Sequence, residues 1–396
     1  MASIAETPAR IPVNPTVLRQ ARSGLNLDFD EAVALLNNLL NREDEEPVSA
    51  ADIRSWEDGA QQPTLVQAET LAAAYLVPFV ALFQTELPLP NMTDFRSGPG
   101  GRVIALSYNT LEKLNRLSRF YLVAKHISVG LGLIEDVAVP SIELRDVRQA
   151  EDMEVIASRV RASLGISDDL QLSWKSDEEA LDAWRQQLEA AGIFVFALPI
   201  AVAECRGASI WEPGGPPAVL LNSADQITAQ LFTLMHEHAH LILAKQEGAI
   251  NLCDPSVATR SREEQLANGF AAASLLPRSL VFRLLPDPVP SQNYSDWPQS
   301  ERIRLRRSLK VSNAAIGIRL KQLSIVADAG AQTFWRRPST FIPHGINRPV
   351  WQRYRRYLGL RTTRLARRAI DLKIMSATEI SRILDIKVKD VEAMVG

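Results

Sequence analysis

Cysteine is nearly absent from this 396-residue chain, which holds only Cys205 and Cys253. Two cysteines so far apart make neither a disulfide framework nor the paired CxxC knuckle of a structural zinc. Histidine is also scarce, at five residues. Lysine is missing altogether from residues 1–88, where Arg10, Arg19, Arg22, Arg42 and Arg54 face more than twice as many acids. No apolar run reaches the roughly 20 residues of a membrane helix. The opening residues Met1, Ala2, Ser3, Ile4, Ala5 and Glu6 lack the basic and apolar parts of a secretion signal. There is no internal repeat and no low-complexity run. The expectation is a cytoplasmic protein with no membrane partner.

The net charge of −2 hides an uneven distribution. From Glu301 onward the balance turns basic, through Arg302, Arg304, Arg306, Arg307, Arg336, Arg337, Arg353, Arg355, Arg356, Arg364, Arg367 and Arg368. Such asymmetry suits either an anionic partner or a solvated helical surface.

The length suits two or three domains, and the pattern divides the chain into four stretches. Residues 1–88 read as four or five short helices with helix-turn-helix rhythm. Asp28 and Ser49 stand where N-caps belong, and Gly59 where a helix stops. Residues 89–139 hold a Pro- and Gly-rich linker and a long helix over 109–131. Residues 140–285 begin helical, at 148–164 and 177–191. Three strand candidates follow, Gly192 to Pro199, Glu204 to Trp211 and Pro217 to Asn222. A helix then starts after Asp225, and another spans 261–275. Residues 286–396 are helical and basic. Their last segment, from Ser376 to Leu384, has helix-turn-helix rhythm but is read as an ordinary helix pair. The fold class expected is α+β, mostly helical, with one small antiparallel sheet.

Five residues carry the chemistry: His236-Glu237-His238-Ala239-His240, an HExxH pattern inside an apolar helical stretch. One helical turn separates His236 from His240, so both imidazoles leave the same side, about 40° apart. They supply half of a tetrahedral zinc site, and Glu237 sits where a general base belongs. A hydrolytic zinc takes a third protein ligand and keeps one position open. In the following helix Glu264 lies one turn before Asn268, on the face of Ala267 and Ala271, which assigns it as that ligand and Glu263 to solvent. Two glutamates in a first helical turn also favour the macrodipole without any metal. Zinc would acidify its water and polarise a scissile carbonyl, with Glu237 taking and returning the proton. His238, about 200° from His236, reads as a structural histidine. His126, His344, Tyr294 and Arg262 stay open as oxyanion candidates. Cys205 is read as a buried strand residue, with an inhibitory zinc ligand as its alternative role.

With these motifs the chain resembles the ImmA/IrrE family of bacterial metallopeptidases carrying an N-terminal XRE-type helix-turn-helix. The segment from Val219 to Ser223, then Leu231 to Glu237, is similar to that family's strand and helix start. Glu264 to Ala272, with Leu275-Leu276-Pro277, resembles its second motif, in which the glutamate four before the asparagine is the third zinc ligand. Arg206-Gly207 and Val311 to Ile316 are similar too. His238 and Ala239 replace the family's usual leucine and glycine. Trp56-Glu57-Asp58-Gly59 and Gln62-Pro63-Thr64 resemble the XRE pattern, yet an acidic stretch, Glu43 to Glu46, precedes the expected recognition helix. DNA binding through that domain is therefore disfavoured against a role in binding protein or setting the oligomeric state, a homodimer among them.

The resemblance implies a zinc-dependent endopeptidase that cleaves a regulatory protein, a DNA-binding repressor encoded nearby, in a bacterial stress or mobile-element circuit. His236, His240 and Glu264 would hold Zn2+, and Glu237 would be catalytic. The alternative is an XRE-type transcription regulator, or an antitoxin-like binding protein of a toxin–antitoxin pair, with a non-catalytic zinc.

Overall fold

A computed structural model describes residues 9–40, 46–85, 97–98, 102–103, 106–134, 150–212, 214–244, 249–252, 262–329 and 349–396. The chain divides into two compact units, residues 1–96 with 106–115, and residues 97–105 with 116–396.

In the first unit four short helices are each opened by a side-chain cap. Asn14 accepts from the Thr16 amide at 2.9 Å to start α1 (Pro15–Gly24), with Pro15 in its first turn. Reciprocal capping boxes open the next three: Asp28 with Glu31 for α2 (Phe29–Leu39), Ser49 with Asp52 for α3 (Ala50–Glu57), and Thr64 with Gln67 for α4 (Leu65–Ala74). A short 3-10 turn, Phe79–Phe83, follows. Val17, Leu18, Leu36, Ile53, Trp56 and Leu71 fill the core. Four described arginines of this unit have partners within it. Arg22 donates to both carboxylate oxygens of Glu57 at 2.7 and 2.9 Å. Arg19 pairs with Asp58, Arg10 donates to the Gln62 carbonyl, and Arg54 lies over the Phe29 ring. Arg42 and Glu43 to Glu45 lie outside the described residues.

The second unit opens with a two-residue antiparallel pair, β1 (Ser97–Gly98) with β2 (Arg102–Val103). The long helix expected over 109–131 is α5 (Tyr108–Gly130), whose first turns belong to the first unit. Helices α6 (Ala150–Ser163), α7 (Asp168–Ser173) and α8 (Asp177–Ala190) lead into the sheet. Its strands are β3 (Phe194–Leu198), β4 (Gly207–Trp211), β5 (Ala218–Asn222) and β6 (Ala249–Leu252), in the order β3-β5-β4-β6.

The sheet is mixed, where the sequence suggested an antiparallel one. β4 pairs antiparallel with β5 and β6, but β3 pairs parallel with β5, Phe194 facing Ala218 and Leu198 facing Asn222. β5 therefore enters between β3 and β4, and its last residue fixes that order. The buried Asn222 side chain accepts from the Ile200 and Ala224 amides at 3.0 and 2.9 Å. It donates to the Ile200 and Cys205 carbonyls at 2.9 and 2.7 Å. One amide thus ties the crossing loop to the end of the central strand.

β3 is buried along its whole length, and its period of two serves two layers. Val195 and Ala197 join the core shared with α9 (Ile227–Ala244) and α10 (Arg262–Leu275). Phe194 and Phe196 point the other way. Phe196 meets Phe120 at 5.9 Å, and the Arg361 guanidinium covers Phe194. Helices α11 (Arg278–Leu284), α12 (Gln299–Leu309) and α13 (Asn313–Gln322) follow α10. Beyond them lie α14 (Val350–Asp371), α15 (Ala377–Leu384) and α16 (Val388–Val395). α14 bends at Gly359, whose φ of 80° suits a residue without Cβ. A Cβ there would also meet the Glu189 carboxylate and the Val195 carbonyl. No described helix is long and apolar enough to cross a membrane.

Candidate metal centre

The HExxH segment lies in the middle of α9, whose start is anchored from two sides. Arg206, just before β4, forms a buried ion pair with Asp225 at 3.0 Å. Asp225 in turn accepts from the Gln226 amide at 2.8 Å, and its carbonyl takes the Gln230 side chain at 2.7 Å. Leu231, Leu234, Met235, Leu241 and Ile242 bury the apolar face of the helix. Ala239, in place of a glycine, is fully buried and keeps that contact close.

α10 packs along α9, and the small residues Ala267 and Ala271 are fully buried. Its far end is fixed by three side chains that take carbonyls a helix terminus leaves without partners. Arg161 donates to the Ser274 carbonyl at 2.8 Å, Gln171 to Leu275 at 2.8 Å and Arg319 to Leu276 at 2.9 Å. Arg319 also pairs with Glu154, and Arg161 with Asp168. Glu264 stands about 15 Å away, at the opposite end of the same rigid rod.

That arrangement brings the three expected ligands together. His236 Nε2 and His240 Nε2 are 3.0 Å apart. Glu264 Oε2 lies 3.2 Å from His236 Nε2, and Glu264 Oε1 lies 3.2 Å from His240 Nε2. His236, His240 and Glu264 are 2%, 7% and 6% exposed, so the cluster is sheltered from water. Glu263, by contrast, is exposed. Four-coordinate ligands about 2.0–2.1 Å from a zinc ion stand about 3.3–3.4 Å apart. The two imidazole nitrogens and the carboxylate that bridges them are close enough to share one ion, and the donor set, two imidazoles and one carboxylate, suits zinc. Two neutral imidazole nitrogens at 3.0 Å otherwise meet only if one donates to the other.

Charge is concentrated here. Burial works to raise the Glu264 carboxyl, but the two imidazoles outweigh it and bring it down to about 2. Burial works to lower His240, but the Glu264 hydrogen bond and the nearby carboxylates leave it raised. The Glu237 carboxyl is raised by its complete burial, against the pull of His240 and His236. Neither of its oxygens has a hydrogen bond of good geometry among the described residues, although the Ser209 hydroxyl of β4 comes near enough to favour its charged form. A cation beside it answers that lack of partners.

Gly207, the first residue of β4, makes room for this carboxylate. A Cβ there would lie 3.1 Å from Glu237 Oε1 and only 2.4 Å from Thr233 Cγ2. Gly207 and Ser209 carry no motif of their own, and the sequence marks only the Arg206-Gly207 pair. The ring of Phe232 also stacks on His236, at 6.5 Å between centroids.

The remaining candidates fall elsewhere. His238 is buried edge-on against Phe270 of α10, 5.8 Å between centroids, and burial lowers its pKa to about 4. It is a neutral packing residue. Tyr294 is fully buried against Trp297, with its hydroxyl 3.3 Å from Asn313. His126 lines an open groove with Leu122, Ile374 and Glu379. Arg262 begins α10 and is exposed. His344 lies outside the described residues. Cys205 is buried two residues before β4 rather than within a strand, its thiol 3.4 Å from the Gly207 carbonyl and its pKa raised by burial.

Residues 188–321 match the family model of the peptidase M78 type, described as the IrrE N-terminal-like domain. The match holds His236, Glu237, His240 and Glu264, and it supports a domain of the metallopeptidase type. No curated protein and no solved structure matches the chain.

Proposed function

We propose that this chain is a zinc-dependent endopeptidase whose ion is held by His236, His240 and Glu264 and whose general base is Glu237. The observation that carries the reading is the buried cluster of His236, His240 and Glu264, with the two Nε2 atoms 3.0 Å apart and each 3.2 Å from a different oxygen of the Glu264 carboxylate, beside the buried Glu237. When bound, zinc supplies Lewis acidity, polarising the scissile carbonyl and acidifying water near neutral pH.

The protein's own residues do the rest. Burial keeps the Glu237 carboxyl raised, towards the range in which it can both take a proton and return it to a leaving amine. Gly207 lets the strand backbone lie against that carboxylate, and Ser209 offers it a hydroxyl. Glu264 fixes the imidazoles from α10, whose far carbonyls are held by Arg161, Gln171 and Arg319. Phe232 supports the His236 ring.

The substrate we infer is a protein, a DNA-binding repressor in a bacterial stress or mobile-element circuit. The family match supports peptidase chemistry, and the resemblance to ImmA/IrrE chains supports that class of target. The test is cleavage of the repressor encoded beside this gene, by the zinc-loaded wild type and by Glu237→Gln. Cleavage by the wild type alone is expected. Equal cleavage by both removes the role given to Glu237.

A second reading has an observation of its own. Glu237 is 0% exposed, as a structural or sensory ion within a regulator requires. That reading expects full zinc content with no cleavage by the wild type.

A further inference from the structure

Helix α9 is closed in along most of its length. From Gln230 to Leu243 every residue is buried except Phe232, which is partly exposed. An exposed part of a phenyl ring forgoes the burial that stabilises its neighbours. Phe232 stands one turn before His236, so the two side chains leave the same side of the helix. Their rings stack at 6.5 Å between centroids, with 29° between their planes. The Phe232 ring is thus held against a ligand of the candidate metal centre while part of it meets solvent.

The same side of α9 carries Ala229, which is also partly exposed. At about 100° per residue, Ala229, Phe232, His236 and His240 fall within about 80° of one another. A helical side chain leans over the turn before its own Cα, so His236 leans towards Phe232 and Phe232 over Ala229. Ala229 adds only a methyl group and leaves room beside that ring. The two residues form a short apolar strip, partly open, that leads to the buried ligands.

The strip lies on a helix almost without charge. Between Ile227 and Ala244 the only Asp, Glu, Lys or Arg is Glu237. A charged side chain laid beside Phe232 would lose hydration and find no fixed counter-ion on the outer turns of the helix. An apolar side chain would cover the exposed part of the ring, and an aromatic one would add a ring-to-ring contact.

We infer, on the reading of the site as a zinc peptidase, that Phe232 is a specificity-determining residue. It packs against an apolar side chain of the substrate beside the scissile bond, an aromatic one best of all, and Ala229 leaves space for it.

The test reads binding and needs no turnover. The zinc-loaded full chain is titrated by calorimetry with acetohydroxamate, which offers a metal-binding group alone. Phenylalkyl hydroxamates with one, two or three methylenes before the ring are titrated beside it. The best of these should bind the wild type about tenfold tighter than acetohydroxamate. Phe232→Ala should lose about fivefold of that advantage, the contribution of one aromatic pair, and keep its affinity for acetohydroxamate. Phe232→Tyr retains a ring and should retain the advantage. No advantage in the wild type, or an equal one in Phe232→Ala, overturns the inference. So does a loss of zinc, or an equal loss of affinity for acetohydroxamate, in Phe232→Ala, since the ring then only props His236. Binding of succinohydroxamate, whose tail is a carboxylate, as tight as that of the ring-bearing probes overturns it as well. Failure of the zinc-loaded wild type to bind acetohydroxamate overturns the metal-centre reading itself, and this inference with it.

Discussion

Replacing Gly207 by alanine tests how the strand positions the base. The added Cβ would lie 2.4 Å from Thr233 Cγ2, 3.1 Å from Glu237 Oε1 and 3.1 Å from the Leu220 carbonyl. The first distance is more than an ångström short of ordinary carbon–carbon contact. Thr233 cannot swing aside cheaply, because a β-branched side chain on a helix has few rotamers, and the carbonyl belongs to β5. The strand and α9 must therefore part. Overpacking of this kind costs about 1–3 kcal/mol. At about 2–4 °C per kcal/mol for a domain of 150–250 residues, the melting temperature should fall by about 2–12 °C. Activity should fall further than stability, because the displaced residue is Glu237. Thr233→Ser removes the clashing methyl and keeps the hydroxyl. In the double variant, stability should recover by about 1 kcal/mol or more over the sum of the single changes. A Gly207→Ala protein as stable and active as wild type, or strictly additive behaviour in the cycle, would refute the close approach.

Asn222→Ala removes four hydrogen bonds from buried backbone groups. It should destabilise the second unit by about 3–5 kcal/mol, measured by denaturant unfolding. A deficit below about 1 kcal/mol, the net worth of a single such bond, would show that the loop is held some other way. Zinc uptake should weaken in acid, since imidazole must shed its proton to bind. Because Glu264 and the neighbouring carboxylates hold the His240 proton, the midpoint should lie above the free value of 6.5. That same raised pKa stabilises the metal-free chain below pH 6.5, and the stabilisation fades as pH rises through it. Calorimetric titration on both sides of that pH checks this, and a midpoint well below 6.5 would contradict it.

The local signals were legible. Asp28 and Ser49 cap as their positions suggest, the HExxH helix begins within two residues of Asp225, and the helix of Glu264 keeps close to its expected 261–275. Helical spacing alone put His236 and His240 on one side. What could not be read depended on partners far along the chain. β3 pairs parallel with β5 across a crossover, and Asn222, which ties the two loops there, is an isolated asparagine that announces nothing in the sequence. β6 is four residues long, too short to stand out from its surroundings. Arg161, Gln171 and Arg319 stand far apart in the sequence with no motif, and only the end of α10 brings them together. Gly207 looks like any strand glycine until Glu237 is packed against it.

The most direct measurement of the central claim is the zinc content of the purified chain, with X-ray absorption to identify the ligand atoms. One zinc per chain is expected, bound by nitrogen and oxygen and by no sulfur. Glu237→Gln should retain it, and His240→Ala and Glu264→Ala should each lose most of it. A wild type that takes up no stoichiometric zinc when supplied with it, or that keeps its ion through both ligand substitutions, would contradict the account.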